Sequence, residues 1–212
     1  MSRPPLVAEK PRNARDKILA AAVGLIRSQG YAGTTVDDLC RAAGVTKGAF
    51  FHYFASKEAL GVAAADFWSR TTEALFASAP YHHHADPLDR VLGYLDFRAA
   101  LIAGPVESFT CLAGTMVQEA FATNPTLREA CEASIFGHAH TLEADIEGAL
   151  EIYAVSGVTA SSLAAHTQAV VQGAFILAKA RGRPEAAADT ITHLKRYVLL
   201  LFKPQGETDN AK

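Results

Sequence analysis

The sequence predicts an all-α protein, and three observations lead to that prediction. Apolar residues recur at helical spacing along most of the 212 residues. Alanine, leucine and glutamate, which favour helices, are abundant. No convincing stretch alternates apolar and polar residues as a strand does. We expect about nine helices, with a three-helix domain at the N-terminus and a larger helical domain after it.

The first three predicted helices have clear local start and stop signals. The first covers roughly residues 13–29 and ends at Gly30. Thr35 is a natural cap for the second helix, and Gly44 supplies the turn that follows it. Thr46 caps a third helix of about 47–53. Two short helices joined by a glycine turn are typical of a helix-turn-helix, which we place at 13–56, after a disordered basic arm at 1–12.

The rest of the chain is expected to form a second domain over 57–203, followed by a disordered tail at 204–212. Ser56 is a cap for its first helix, and Asp86 with Pro87 opens another. The predicted helices cover about 57–79, 87–103, 106–122, 125–152, 161–181 and 185–202.

Composition narrows the class of protein. The first 60 residues carry nine Lys or Arg against five Asp or Glu, whereas the remainder carries eleven against seventeen. A basic head on an acidic body favours nucleic-acid binding. No apolar run would span a membrane, and the N-terminus has no signal-peptide core. Three cysteines without CxxC spacing indicate a reducing cytoplasm. We find no convergent catalytic or metal set and expect neither an enzyme nor a cofactor.

The helix at 47–53 is predicted to have two different faces. At 100° per residue, Phe50 falls on the face that would pack inward. The outward arc holds Lys47, Gly48, Phe51 and His52. Lys reaches guanine acceptors, an aromatic ring contacts a thymine methyl, and Gly lets the backbone approach closely. We therefore expect this arc to read bases in the major groove.

The stretch "TTVDDLCRAAGVTKGAFFHYFASKEAL", together with "GYAGTTV" before it, closely resembles the DNA-binding domain of the TetR family of transcriptional regulators. The resemblance covers about residues 14–61. It implies a homodimer that represses transcription from a palindromic double-stranded DNA operator and is released by a small molecule. It also implies phosphate contacts from Thr46, Tyr53 and Lys57, and we add Thr35 to them. Tyrosine is common in the family where Phe51 stands, so a hydroxyl contact is lost here.

The last two predicted helices each carry apolar residues on two faces, which indicates two packing partners. One face would pack within the chain and the other on a second copy, as a four-helix interface. The alternative is that both faces lie inside a monomer. The predicted interface residues are Val171, Phe175, Leu194, Val198 and Leu201.

An effector pocket is expected between the helices of the second domain. Its predicted lining is Trp68, Tyr94, Phe97, Phe109, Cys111, Met116, Phe136, His140, Gln172 and Phe175. Each could instead be ordinary core. Their apolar character favours a small apolar or aromatic effector. The rival interpretation is a regulator without an effector.

Two further features have competing interpretations. "TCLAGTMVQEA" resembles a segment of some TetR-type repressors that sense electrophiles through a cysteine, which would be Cys111 here. That residue is otherwise a small buried apolar side chain. The three histidines at 82–84 suggest metal, but adjacent loop imidazoles do not readily face one ion, so we expect solvated histidines and no metal.

Overall fold

The computed structural model describes residues 13–203, and within them the chain forms ten α-helices and no strand. The predicted arm and tail, 1–12 and 204–212, lie outside the described residues. The helices are α1 Ala14–Gln29, α2 Val36–Ala43, α3 Lys47–Tyr53, α4 Lys57–Ala77, α5 Pro87–Leu101, α6 Leu112–Ala120, α7 Pro125–His140, α8 Glu143–Ile152, α9 Ala160–Arg181 and α10 Glu185–Leu201. Short 3-10 turns occupy Pro80–His83 and Val106–Ser108.

Local capping explains why the head helices begin and end where they do. Thr35 and Asp38 form a reciprocal capping box at the start of α2. The Thr46 hydroxyl accepts a hydrogen bond from Ala49 N at the start of α3. Between them Gly44 has φ 64°, in the left-handed region that glycine adopts without strain. The predicted caps of α2 and α3 are therefore confirmed.

The predicted helix at 125–152 is wrong in one respect, because it is two helices. α7 ends at His140 and α8 begins at Glu143. Leu142 is buried, and its N–H donates to Ala139 O at 3.0 Å in a tightened turn. α7 packs against α4 and α6, whereas α8 packs against α5. The chain turns at Leu142 so that each half covers a different part of the core.

The predicted helix at 106–122 is also shorter than expected. α6 begins only at Leu112, and the Cys111 Sγ accepts a hydrogen bond from Gly114 N at 3.3 Å as its cap. Phe109 and Thr110, just before it, are buried. Burying these two side chains fixes the segment in a non-helical path, which places Cys111 at the start of α6.

The core consists of two hydrophobic clusters. The first joins α1, α2 and α3 to the first half of α4, to α6 and to the first half of α7. The second lies among α5, α8, α9, α10 and the end of α4. Cys111 packs against both clusters, which places it where they meet. No helix in residues 13–203 has the length and apolar character needed to cross a membrane.

The predicted dimer residues lie inside the chain. Val171, Phe175, Leu194 and Val198 are at most 4% exposed, and Leu201 is partly buried against the second cluster. We assigned these side chains to the apolar face that packs on a second copy. They are instead buried between α9, α10 and the rest of the domain. The apolar side chains that α9 and α10 do leave exposed are Ile176, Leu177, Tyr197, Leu199 and Leu200.

Candidate nucleic-acid interface and effector cavity

The helix α3 presents the outward arc that its sequence predicts. Phe50 is fully buried and packs on Phe54 with ring centroids 5.8 Å apart, which anchors the helix to the head core. On the other side Phe51 is 53% exposed, and its ring meets the edge of Phe50. Gly48 and His52 are exposed as well. A short helix with one anchored face and one free face is suited to entering a groove.

Lys47, at the start of α3, already has a partner of opposite charge. Its Nζ lies 2.7 Å from Asp37 Oδ1, and both side chains are more than half exposed. The hydrogen bond and charge of Asp37 raise the pKa of Lys47. Lys47 therefore stays cationic, and it must leave Asp37 in order to contact a base or phosphate.

The four residues expected to contact phosphate differ in their exposure and in the hydrogen bonds that they already make. Thr46 and Tyr53 are exposed beside α3. The Thr35 hydroxyl donates to Asp38 Oδ2 at 2.6 Å. The Lys57 Nζ donates to Ala32 O at 3.2 Å, and burial lowers its pKa. Lys57 thus also holds the loop between α1 and α2, and its phosphate contact, like the others, stays a prediction.

A carboxylate on α6 joins the body to the head, and sequence reasoning missed it. Glu119 accepts hydrogen bonds from Tyr31 N at 3.1 Å and Ala32 N at 2.6 Å, in the loop between α1 and α2. α4 leads from the head into the body, and α6 is a second link between them, because it too packs against α1. No local motif marks Glu119, because its partners lie almost 90 residues earlier.

A cavity lies between the two hydrophobic clusters, and five of the ten residues predicted to line an effector pocket surround it. Trp68, Phe109, Cys111, Gln172 and Phe175 all line it. The volume of the cavity that is open to water-sized molecules is about 30 Å³. This is room for roughly two or three waters. Drug-sized ligands fill cavities of about 300–1,000 Å³, so an effector must be small or must widen this one.

The other predicted lining residues lie elsewhere. Tyr94 is fully buried just beneath the cavity, and Phe97 packs edge-on against Phe76. Met116 belongs to the core that α6 shares with the head. Phe136 is 57% exposed, and the exposed His140 pairs with Glu143 at 3.1 Å. Helical periodicity predicts that these side chains lie among apolar residues. It does not predict which side of each helix faces the cavity.

The cavity has polar groups that the sequence analysis did not select. Arg98 Nη2 donates to Tyr94 Oη at 3.1 Å and lies 2.8 Å from His138 Nε2. Gln168 Nε2 donates to the same Tyr94 oxygen at 3.1 Å. Burial, with the charge of Arg98, lowers the pKa of His138 to about 3, so its ring is neutral. Tyr94 and Arg98 are four residues apart, so they lie side by side on a helix, and this spacing was the sequence signal that could have identified Arg98.

The three cysteines are buried or partly buried, and the loop histidines are exposed. Cys111 is partly buried and lines the cavity with its Sγ at the N-terminal end of α6. Cys40 and Cys131 are buried in the first cluster. His82, His83 and His84 are exposed. Across residues 13–203 there is no group of three His, Cys, Asp or Glu side chains placed to hold a metal ion.

Comparison with known proteins agrees with this architecture. Residues 18–64 match the family described as "Bacterial regulatory proteins, tetR family". The transcriptional repressor NemR of Escherichia coli K12 is 36% identical over 87 residues, covering 39% of this chain and 41% of NemR. The matched part of the chain spans 41% of the length of NemR and 62% of the length of another curated relative.

Two solved structures extend the likeness over nearly the whole chain. A TetR-family regulator from Agrobacterium tumefaciens has a TM-score of 0.75 at 25% identity, covering 90% of this chain and 98% of that one. A TetR regulator from Chloroflexus aurantiacus has a TM-score of 0.76 at 28% identity, covering 88% and 94%. These relatives are transcription regulators and not enzymes. The chain is therefore similar to TetR-family regulators, through the family match at residues 18–64 and through the fold that it shares with these structures.

Proposed function

We propose that this chain is a dimeric repressor that binds a palindromic operator through α3 and is released by a small effector. The observation that carries the proposal is the exposed arc of Lys47, Gly48, Phe51 and His52 on a helix whose opposite face is anchored. Phosphate contacts from Thr46 and Tyr53 beside it would fix the register of α3 in the major groove. Binding to chromosomal DNA also implies a cytoplasmic location.

The second copy is proposed to pack on the exposed apolar side chains of α9 and α10. Leu177 is 50% exposed and Leu200 is 63% exposed. His166 of α9 and Tyr197 of α10 pack against each other with ring centroids 5.3 Å apart, which gives the two helices one continuous outer face. Pairing this face about a two-fold axis would place two α3 helices on half-sites one or more helical turns apart.

The switch is proposed to run through α6 as well as α4. α6 begins at the cavity, where Cys111 caps it, and ends near Glu119, which holds the loop between α1 and α2. A ligand that widens the cavity would displace α6 and α4 and so change the separation of the two heads. Operator and ligand must then weaken each other by the same factor.

Selection from random DNA tests the DNA-binding part of the proposal. His52→Ala should relax base preference at one operator position, at a cost of about 1–3 kcal/mol, since a base-edge contact is lost. His83→Ala, which changes an exposed histidine remote in sequence from α3, is the control and should leave the selected sequence unchanged. An identical sequence preference for His52→Ala would remove His52 from the base readers. Failure of the wild type to select any sequence would overturn the proposal.

A second candidate is a sensor of electrophiles through Cys111. The observation that favours it is that this thiol lines the cavity and caps the N-terminal end of α6. Release of the operator by N-ethylmaleimide in the wild type but not in Cys111→Ser would support it. Cys131→Ser is the matched control, because that thiol is buried and burial raises its pKa to about 12.

A regulator without any effector is the remaining alternative. The cavity between the two hydrophobic clusters favours an effector, because its lining combines apolar side chains with a few polar ones. Operator affinity that no small molecule changes, across a broad panel of apolar and aromatic compounds, would favour the alternative.

A further inference from the structure

The cavity contains one cationic side chain whose charge no residue of the cavity balances. None of the fourteen lining residues is acidic. Within residues 13–203, no carboxylate lies within ion-pair distance of Arg98. Its neighbours are the neutral His138 ring and the Tyr94 hydroxyl. The face of the Phe76 ring, 4.4 Å from the guanidinium carbon, compensates only part of the charge.

The guanidinium also has hydrogen-bonding capacity to spare. Its Nε is buried and has no acceptor within the described part of the chain. Leaving a buried charged donor without an acceptor is costly, and native structures seldom keep one without a purpose. A carboxylate satisfies both needs together, since its two oxygens accept from a guanidinium and its charge opposes that of the arginine.

The remaining lining is suited to the body of a small organic acid. Leu101, Ile102, Phe109, Val171 and Phe175 supply apolar contact area. The amides of Gln168 and Gln172 also reach the cavity and could donate to a second carboxylate oxygen. A dianion, such as a phosphate ester, would need a second cation, and Arg98 is the only Lys or Arg in the lining. The small volume of the cavity favours a compact ligand.

We propose that the effector is a small organic monocarboxylate, with its carboxylate at Arg98 and its apolar body against the rings of Phe109 and Phe175, which line the cavity. This inference rests on the proposed function, since it names the chemical class of the effector that occupies the same cavity. It makes Arg98 the residue that discriminates acids from neutral molecules of the same shape.

Matched ligand pairs test the proposal on the full-length dimer. Benzoate is compared with benzamide, and hexanoate with hexanamide, so that only the charge changes within a pair. Trp68 is the single tryptophan and lines the cavity, so its fluorescence reports binding directly, with calorimetry as a second readout. We expect at least one acid to bind and its amide to bind roughly 10- to 100-fold more weakly.

Variants assign the discrimination to Arg98. Arg98→Gln should reduce affinity for the acid by roughly 10- to 100-fold and make acid and amide nearly equal. Arg98→Lys should keep part of the preference, because the charge remains while the fork geometry is lost. The control is Arg70→Gln, which removes an exposed α4 arginine paired with Asp66. Thermal melting checks that each variant is folded, and the wild-type pairs test the proposal even where a variant is not.

The outcomes separate this inference from the proposed function. Amides that bind as tightly as acids, or acid binding that Arg98→Gln leaves unchanged in a folded protein, would overturn the inference. The same holds if neutral ligands release the operator while no acid does, and that result would leave the effector-responsive repressor standing. Loss of operator release by every ligand, acid or neutral, would overturn both.

Discussion

At the tip of α3, Lys47 is held by Asp37, and this contact would compete with the DNA contact that we propose for Lys47. The ion pair is exposed, so it is weak and it exchanges readily. Asp37 also places a negative charge close to where phosphates would lie. We therefore expect the pair to orient Lys47 before binding and to lower the affinity of the proposed complex.

Asp37→Asn should tighten operator binding by about two- to fivefold, because Lys47 no longer has to leave a carboxylate. Fluorescence anisotropy with labelled operator measures the change. Asp66→Asn is the control, since it breaks a similarly exposed pair with Arg70 on α4, away from α3. Weaker binding by Asp37→Asn would mean that the ion pair positions Lys47 productively in the complex.

The buried imidazole of His138 should make stability depend on pH. Its pKa falls from the ordinary 6.5 to about 3 on folding, so the unfolded chain binds a proton that the native protein does not. The free energy of unfolding therefore decreases as pH falls below about 6.5, by about 2 kcal/mol at roughly pH 5. Urea unfolding at several pH values measures this loss.

His138→Gln should flatten that pH dependence, and the exposed His83→Gln should not. The charged and titratable groups facing His138 are Arg98 and Tyr94 of α5. An equally steep loss of stability in His138→Gln would assign the effect to other groups.

The caps and the histidines show which residue properties can be predicted from sequence. Thr35, Thr46 and Ser56 act on neighbours three residues away, so local pattern was enough to place them. Whether His138 or His140 faces inward depends on how α7 lies against α4, which involves contacts between residues far apart in sequence. We selected His140, and it is His138 that lines the cavity.

Among the elements, α6 connects the cavity with the head through its two ends. It is a short helix with the Cys111 sulfur at one end and the Glu119 carboxylate near the other. The two hydrogen bonds from Glu119 go to backbone N–H groups, so they hold the path of the loop itself. A shift of α6 along its axis would therefore move this loop and with it the start of α2.

Glu119→Gln should reduce the coupling between effector and operator several-fold while leaving effector affinity in the free protein nearly unchanged. An amide accepts more weakly than a carboxylate, so the loop would follow α6 less closely. The measurement is effector affinity with and without bound operator. Glu132→Gln, an exposed change on α7, serves as the control. Undiminished coupling in Glu119→Gln would assign the signal to α4 alone.

The packing of α5 against the turn at Pro80–His83 depends on a glycine. A Cβ on Gly93 would lie 2.6 Å from the Tyr81 Cβ, which has little freedom to move. Gly93→Ala should therefore destabilise the protein by about 1–3 kcal/mol despite the better helix propensity of alanine. Gly24→Ala, with no atom near the new methyl, should stabilise it by about 0.5–1 kcal/mol. Urea unfolding compares the two, and equal effects would contradict the close approach.

Element boundaries were predictable where a cap or a proline marks them, and wrong where tertiary packing decides. α3, α9 and α10 lie within a residue or so of their predicted ranges. The break after α7 has no proline or glycine, and the late start of α6 follows from burying Phe109 and Thr110. These two positions are fixed by the core that the segments meet, which periodicity alone does not specify.

For the whole molecule, the outer face of α9 and α10 decides the oligomeric state that we propose. Leu177→Glu with Leu200→Glu should give folded monomers with much weaker operator binding, since both leucines are exposed. Val171→Glu or Val198→Glu should instead unfold the chain, because these valines are buried in the second cluster. Sedimentation and circular dichroism distinguish the two classes. A stable wild-type monomer at micromolar concentration would contradict the dimer.

The sequence does not show which of the two apolar faces of α9 packs inside the chain. Both faces carry residues at helical spacing, so either could have met the chain's own core. The structure packs α9 against α7, α8 and α10, buries Val171 and Phe175 in the second cluster and leaves Leu177 outside. Fold class and the two-helix outer surface were predictable, whereas the side that faces outward required the packing of α9 against its three neighbouring helices to be known.

The first hydrophobic cluster has a consequence for how the protein unfolds. Ile18, Leu39 and Phe50 of the head share one continuous core with Leu112 and Leu127 of the body. The head therefore lacks a complete core of its own, and cutting at residue 56 would expose much of its apolar surface. We expect the protein to melt in a single cooperative step and the isolated fragment 13–56 to be unfolded in water. Two separate melting transitions, or a folded fragment, would mean that head and body fold independently.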